Sequence, residues 1–179
     1  MSENSSVELT SIPIDNQSPI FKGICQWSFA DKYISRLLEN DIPQRTKYGK
    51  GRIWAYCDSE REIVGLGTID VCSDYSSLIG NKPHPYIPLL AVKPGCEGRG
   101  YGGAIVRHLI GEAVLLASQP GGACHDILFL DVYTSNARAI ALYERNGFEG
   151  LRTEPFFDDI EKKPYLIMVR RISIAPRSI

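Results

Sequence analysis

The chain has 179 residues, a length that fits one domain, and its 44% hydrophobic content suffices for a sizeable core. A net charge of −1 supplies no global field to recruit nucleic acid or an anionic membrane. No run approaches a transmembrane span, and the polar N-terminus lacks the basic and apolar regions of a secretory signal. The five cysteines, Cys25, Cys57, Cys72, Cys96 and Cys124, are an odd number without C-x-x-C or zinc spacing, so reduced thiols, no metal and a cytoplasmic location are expected.

In chain order, Val7 and Leu9 alternate with polar residues ahead of Ile12-Pro13-Ile14, which predicts a short first strand. Pro13 puts that strand at an edge or an end, and residues 1–18 are expected to be in part flexible. Ser28 is expected to cap a helix whose apolar face is Phe29, Tyr33, Ile34, Leu37 and Leu38. Residues 41–50 read as a polar linker with Pro43 and Gly49, and Arg45, Lys47, Lys50 and Arg52 as a solvated basic face. Two β-rich runs, 52–57 and 62–71, read as a hairpin joined by the turn-like residues 58–62. Gly65 and Gly67 in the second run suggest a bulge or a close backbone approach. A polar loop, 73–85, then delivers His84 and Tyr86 to the next strand.

The stretch from Tyr86 to Val114 organises the rest. Its apolar run Ile87–Val92 reads as a buried strand closed by Lys93-Pro94-Gly95. Glycines follow at 98, 100, 102 and 103, and then Ile105, Val106, Leu109, Ile110 and Ala113 recur at helical spacing. A strand, a glycine-rich turn and a helix start make an anion site, because the first helical N–H groups are unpaired and carry the positive end of the macrodipole. Gly98, Gly100 and Gly103 fit G-x-G-x-x-G, but the acidic strand end that a dinucleotide site needs about 20 residues on would fall in the loop 118–123. A Walker A reading fails because no G-K-[ST] follows.

A second segment follows the strand Ile127–Val132. It runs Asn136-Ala-Arg-Ala139-Ile-Ala-Leu142-Tyr143-Glu144-Arg-Asn-Gly147-Phe148, with Ser135 or Asn136 placed to cap a helix and Gly147 placed to end it. The last strands are read at 148–152 and 165–172, joined by a connection, 153–164, rich in acidic residues. The order β-α-β-β-β-α-β-α-β-β suggests a mixed sheet with helices on both faces.

Glu97-Gly98-Arg99-Gly100-Tyr101-Gly102 resembles the acetyl-CoA motif [QR]-x-x-G-x-[GA] of the GNAT superfamily of N-acetyltransferases, with Glu where Gln or Arg is usual. The second segment resembles that family's N-x-x-A-x-x-x-Y-x-x-x-G-F signature at every fixed position. The resemblance covers Arg52 to Arg171 well and the N-terminal part weakly. It implies one GNAT domain over 1–179, of α/β (α+β) class, whose mixed sheet splays between the central strand and the next. The pantetheine arm of acetyl-CoA is then expected along Leu90, Ala91 and Val92, like a β partner. The pyrophosphate is expected on the amides of Gly98, Arg99, Gly100, Tyr101, Gly102 and Gly103. Asn136 is implied to contact the pantetheine or a nearby water, or to serve as a plain helix cap, and Tyr143 to protonate the departing sulfur. The first helices, with Gln26 and Trp27, would wall the acceptor site, and the basic cluster 45–52 could instead touch CoA phosphates or an RNA.

The implied reaction is attack of a neutral amine on an acetyl thioester. It needs a proton acceptor for the ammonium, stabilisation of an oxyanion and a proton donor for the thiolate. The base has no family Glu on the strand between Tyr86 and Val92, so the candidates are His84, Tyr86, Asp70 or no side chain at all. His108 and His125 read as surface or helix residues, and nothing near Cys96 supports a nucleophile. The expected acceptor is a primary amine of a small molecule, peptide or protein, with no membrane partner and a homodimer left open. Phe21-Lys-Gly-Ile-Cys and Pro85-Tyr-Ile-Pro-Leu-Leu-Ala-Val also resemble toxin-type acetyltransferases that act on aminoacyl-tRNA, although the near-neutral charge argues against tRNA. A non-catalytic acetyl-CoA sensor is the remaining alternative.

Overall fold

The computed structural model describes residues 7–29, 32–47, 51–72, 75–78, 82–119, 126–152 and 154–173. Its elements in chain order begin with β1 Thr10–Ile14, α1 Pro19–Cys25, α2 Lys32–Arg36, a π-helical turn Leu37–Asp41 and α3 Ile42–Lys47. They continue with β2 Gly51–Cys57, β3 Ile63–Cys72, a 3-10 turn Ser76–Leu78, β4 His84–Tyr86, β5 Leu90–Val92 and α4 Tyr101–Ser118. The last are β6 Ile127–Tyr133, α5 Ala137–Arg145, β7 Glu149–Gly150, β8 Phe156–Asp158 and β9 Lys163–Arg171. The fold is mixed α/β with a mostly antiparallel sheet. The chain forms two compact units, Met1–Asp70 with Leu89–Leu109 and Val71–Pro88 with Ile110–Ile179. Among the described residues no helix is long and apolar enough to cross a membrane.

In the first unit the strand order is β1-β2-β3-β5, antiparallel throughout. Pro13 lies on β1 at the end of that order, where a missing ladder donor is tolerated. Alternation sends Ile53, Ala55, Leu66 and Ala91 to one face, and there they meet Phe21, Ile24, Leu37, Leu38 and Ile42 of the N-terminal helices. The expected apolar face of Phe29, Tyr33, Ile34, Leu37 and Leu38 belongs to this cluster. The opposite face carries Gly65 and Gly67, and there α4 packs directly on β3. A Cβ at Gly65 would stand 2.5 Å from Ile105 Cδ1 and 3.2 Å from the carbonyl of Ala91, so this is the close approach expected from the sequence.

In the second unit β4 runs parallel to β6 through Tyr86 and Phe129. β6 and β9 pair antiparallel from Ile127 with Arg171 to Tyr133 with Tyr165, and β7 and β8 both pair with β9. Cys72, Tyr86, Phe129 and Ile167 form one cluster of its core.

Five local expectations are corrected. α1 was not foreseen, although Ser18 caps it by accepting from Phe21 N at 3.1 Å and Pro19 opens it, a standard N-terminal signature. Helix α2 starts at Lys32, with Ser28 outside any helix. Residues 42–47 are helical rather than a linker. Pro43 lacks an N–H and would crowd the carbonyl four residues back, and the turn before it widens so that Ile42 N bonds Leu37 O. The apolar run from Ile87 breaks at 87–89, and the acidic connection contains β8. At that break Pro88 cannot donate. Thr68 substitutes its hydroxyl for a strand partner, accepting from Leu89 N at 3.0 Å and donating to Leu89 O at 3.2 Å.

Candidate active site

In the first unit, β5 runs into the glycine turn. Gly95, Gly98 and Gly100 have φ of +84°, +83° and +85°, a conformation that disfavours any side chain. At Gly100 a Cβ would also stand 3.0 Å from Val7 Cγ2. Glu97, the residue that departs from the family motif, closes the turn on itself: its Oε2 accepts from Gly95 N at 2.8 Å. Cys96 N donates to Lys93 O at 2.9 Å. The bond from Ala104 N to Gly100 O, at 3.2 Å, opens the helical ladder. The amides of Tyr101, Gly102 and Gly103 precede it, at the positive end of α4, and the first turn holds no acidic residue.

The ladder of β5 says which of its backbone groups are spoken for. Lys93 N donates to Val64 O at 2.8 Å and Thr68 N to Leu89 O at 2.9 Å. These bonds flank the pairs Gly65 with Val92 and Gly67 with Leu90, making both non-hydrogen-bonded pairs, whereas Leu66 and Ala91 form the bonded pair between them. The N–H and C=O of Leu90 and Val92 therefore point away from β3. Among the described strands β5 pairs with β3 alone, so these four groups form an open edge leading into the glycine turn.

In the second unit, Tyr143 lies on α5 and is buried, with its ring edge-on to Phe148 at 5.8 Å between centroids. Its hydroxyl has no hydrogen-bond partner among the described residues. Burial first, and the Asp131 carboxylate second, push its pKa far above the ordinary phenol value, so it keeps its proton at every working pH. Asn136 caps α5, its Oδ1 accepting from Ala139 N at 3.1 Å, and Gly147 with φ +79° follows the helix as expected.

The base candidates separate clearly. Asp70 is buried and held by Arg45 Nη1 at 2.8 Å, which also takes Arg45 out of the solvated basic face. His84 is fully buried on β4 rather than in a loop, with its ring 4.1 Å from that of Phe129. Tyr86 donates its hydroxyl to Asp131 Oδ1 on β6. Asp131 is thus the group that touches Tyr86 and electrostatically faces Tyr143, and sequence reasoning passed over it. Its signal was present: it is the only acid in the run Ile-Leu-Phe-Leu-Asp-Val-Tyr. His108 lies on α4 with Nδ1 2.9 Å from the Tyr56 hydroxyl. Lys50, Cys124 and His125 lie outside the described residues.

Residues 21–148 match the model of the Acetyltransferase (GNAT) family, well over half of the chain. The chain belongs to the GNAT family. Its sheet and helices are those of that fold, and the solved structures it resembles agree. The Escherichia coli ribosomal-protein-S18-alanine N-acetyltransferase superposes with a TM-score of 0.64 at 22% identity, covering 96% of this chain and 99% of that one. Arabidopsis thaliana NAA60, in complex with acetyl-CoA, gives 0.62 at 20% identity over 92% and 99%. A Vibrio cholerae spermidine N-acetyltransferase chimera gives 0.64 at 15% over 91% and 95%. At these identities the likeness is one of fold. An uncharacterized protein of Mycobacterium leprae is 34% identical in a 114-residue alignment that covers 57% of this GNAT chain and only 29% of that relative.

Proposed function

We propose that this GNAT chain transfers the acetyl group of acetyl-CoA to a primary amine of a small molecule, peptide or protein. The observation that carries the reading is the open edge of β5 running into a glycine turn whose left-handed backbone at Gly98 and Gly100 disfavours any side chain. That combination suits a ligand with an amide-bearing arm and a pyrophosphate. Leu90 and Val92 would bond the arm as a β partner, Ala91 between them being committed to β3, and the amides from Gly98 to Gly103 would hold the phosphate charge. Acetyl-CoA supplies the acetyl thioester.

The chain's own residues supply proton handling. Tyr143 is a neutral phenol with an unengaged hydroxyl, suited to give a proton to sulfur. Asp131, bonded to Tyr86, suits the opposite task of attracting a cationic amine and taking its proton, directly or through the Tyr86 hydroxyl. With one lone pair of Oδ1 engaged as a cap, Asn136 would offer the cofactor its amide nitrogen and the second lone pair of that oxygen.

Thiol release from acetyl-CoA, followed with a panel of polyamines, amino acids and peptides bearing free N-termini, tests the reading. Turnover with at least one amine, abolished in Asp131→Asn, is expected. Binding of acetyl-CoA without turnover on any amine would make the chain an acetyl-CoA sensor instead.

A further inference from the structure

Beyond the cofactor turn, a slot of about 250 Å³ opens between β1 and the first turns of α4. One wall is β1 with the residues before it: Val7, Leu9 and Ser11 come at every second position and so share a face. The other wall is Ala104, Arg107 and His108, one face of α4, with Tyr56 also contributing to the lining. The chemistry of the lining is uneven. Val7, Leu9 and Ala104 are apolar, Ser11 offers a hydroxyl, and among the described residues no carboxylate takes part. Arg107 is exposed and makes no ion pair among the described residues. His108 is fixed in place: its Nδ1 lies 2.9 Å from Tyr56, and Trp54 meets the ring edge-on at 5.4 Å.

We propose that this slot binds a short-chain monocarboxylate, with the carboxylate on Arg107 and Ser11 and the aliphatic tail against Val7, Leu9 and Ala104. One guanidinium fork matches one carboxylate in both charge and geometry. The volume equals the liquid share of roughly eight waters, room for an acid of roughly four to six carbons. The occupant would also be felt at the glycine turn, because Val7 Cγ2 lies 3.0 Å from the place a Gly100 Cβ would take. An acid that shifts Val7 moves the wall behind that turn. This coupling rests on the cofactor reading of the turn, whereas the binding itself does not and is measured without acetyl-CoA.

The experiment is isothermal titration of the full chain with sodium butyrate, with n-butylamine and inorganic phosphate as comparison arms. Butyrate is expected to bind one to one with a millimolar Kd. Arg107→Gln should weaken it about 10-fold, and Leu9→Trp, which fills the slot, should remove it, while both variants keep the parent melting behaviour. Butylamine should give no binding, and phosphate should bind more weakly than butyrate. No saturable heat with butyrate, unchanged affinity in Arg107→Gln, or equal binding of butylamine or phosphate would each overturn the assignment. In the coupling arm, saturating butyrate should change the Kd of acetyl-CoA about 5-fold or more, and acetyl-CoA should change that of butyrate by the same factor. An unchanged acetyl-CoA Kd beside normal butyrate binding would overturn the coupling.

Discussion

Replacing Tyr143 with Phe removes one oxygen and nothing else. The hydroxyl makes no hydrogen bond among the described residues, so no intramolecular partner is orphaned, and the Phe ring keeps the edge-on packing against Phe148. Taking a largely buried hydroxyl that no described residue bonds away from beside the Asp131 carboxylate leaves stability unchanged or raises it by up to about 1 kcal/mol. Turnover should behave oppositely. General acid catalysis is typically worth about 10²–10⁴-fold. The raised phenol pKa makes proton donation uphill toward a thiolate of pKa about 8.5, and a thiolate already leaves readily, so a loss near the low end, about 10²-fold, is expected. The loss should fall on kcat, with acetyl-CoA affinity nearly intact, because the proton moves only in the transition state. The assay is steady-state kinetics on an acceptor from the amine panel, beside urea melts as a function of pH. The pH arm has a defined sign. A phenol whose folded pKa lies above its ordinary value of about 10 favours the fold below pH 10, and that contribution fades as pH rises above it. Wild type should therefore lose stability above pH 10 faster than Tyr143→Phe. Unchanged kcat in a folded Tyr143→Phe protein would remove the residue from the mechanism.

Gly65→Ala should cost about 1–3 kcal/mol in chemical denaturation, because its Cβ would meet Ile105 Cδ1 at 2.5 Å inside a fully buried contact. Asp70→Asn should destabilise by about 1–3 kcal/mol through loss of the Arg45 ion pair, without the selective kcat loss expected of a base. Glu97→Gln should leave acetyl-CoA affinity within about 3-fold by calorimetry, since the amide oxygen can still accept from Gly95 N and the change removes a negative charge near an anion.

What the sequence made legible follows from how local each cause is. The glycine turn and the segment 136–148 were readable because left-handed glycines, a helix cap and helical spacing are encoded within a dozen residues. α1 was missed because two short turns around Gly23 give no sustained periodicity, and α3 because Pro43 reads as a breaker until its place in a first turn is known. The break at 87–89 hides in an unbroken apolar run, and the group that compensates it, Thr68, lies about twenty residues away in sequence. Asp131 was passed over for the same reason. Its meaning comes from Tyr86, 45 residues earlier, and from Tyr143, which only the fold brings into its electrostatic reach.

The most direct test is calorimetric titration of acetyl-CoA into the wild-type chain and into Gly100→Glu. The variant puts a carboxylate and a strained left-handed residue at the turn proposed to hold the pyrophosphate. Micromolar one-to-one binding by the wild type, and none by a folded Gly100→Glu protein, is the predicted result. Equal binding by the two proteins would contradict the cofactor site and, with it, the reading of how this GNAT chain works.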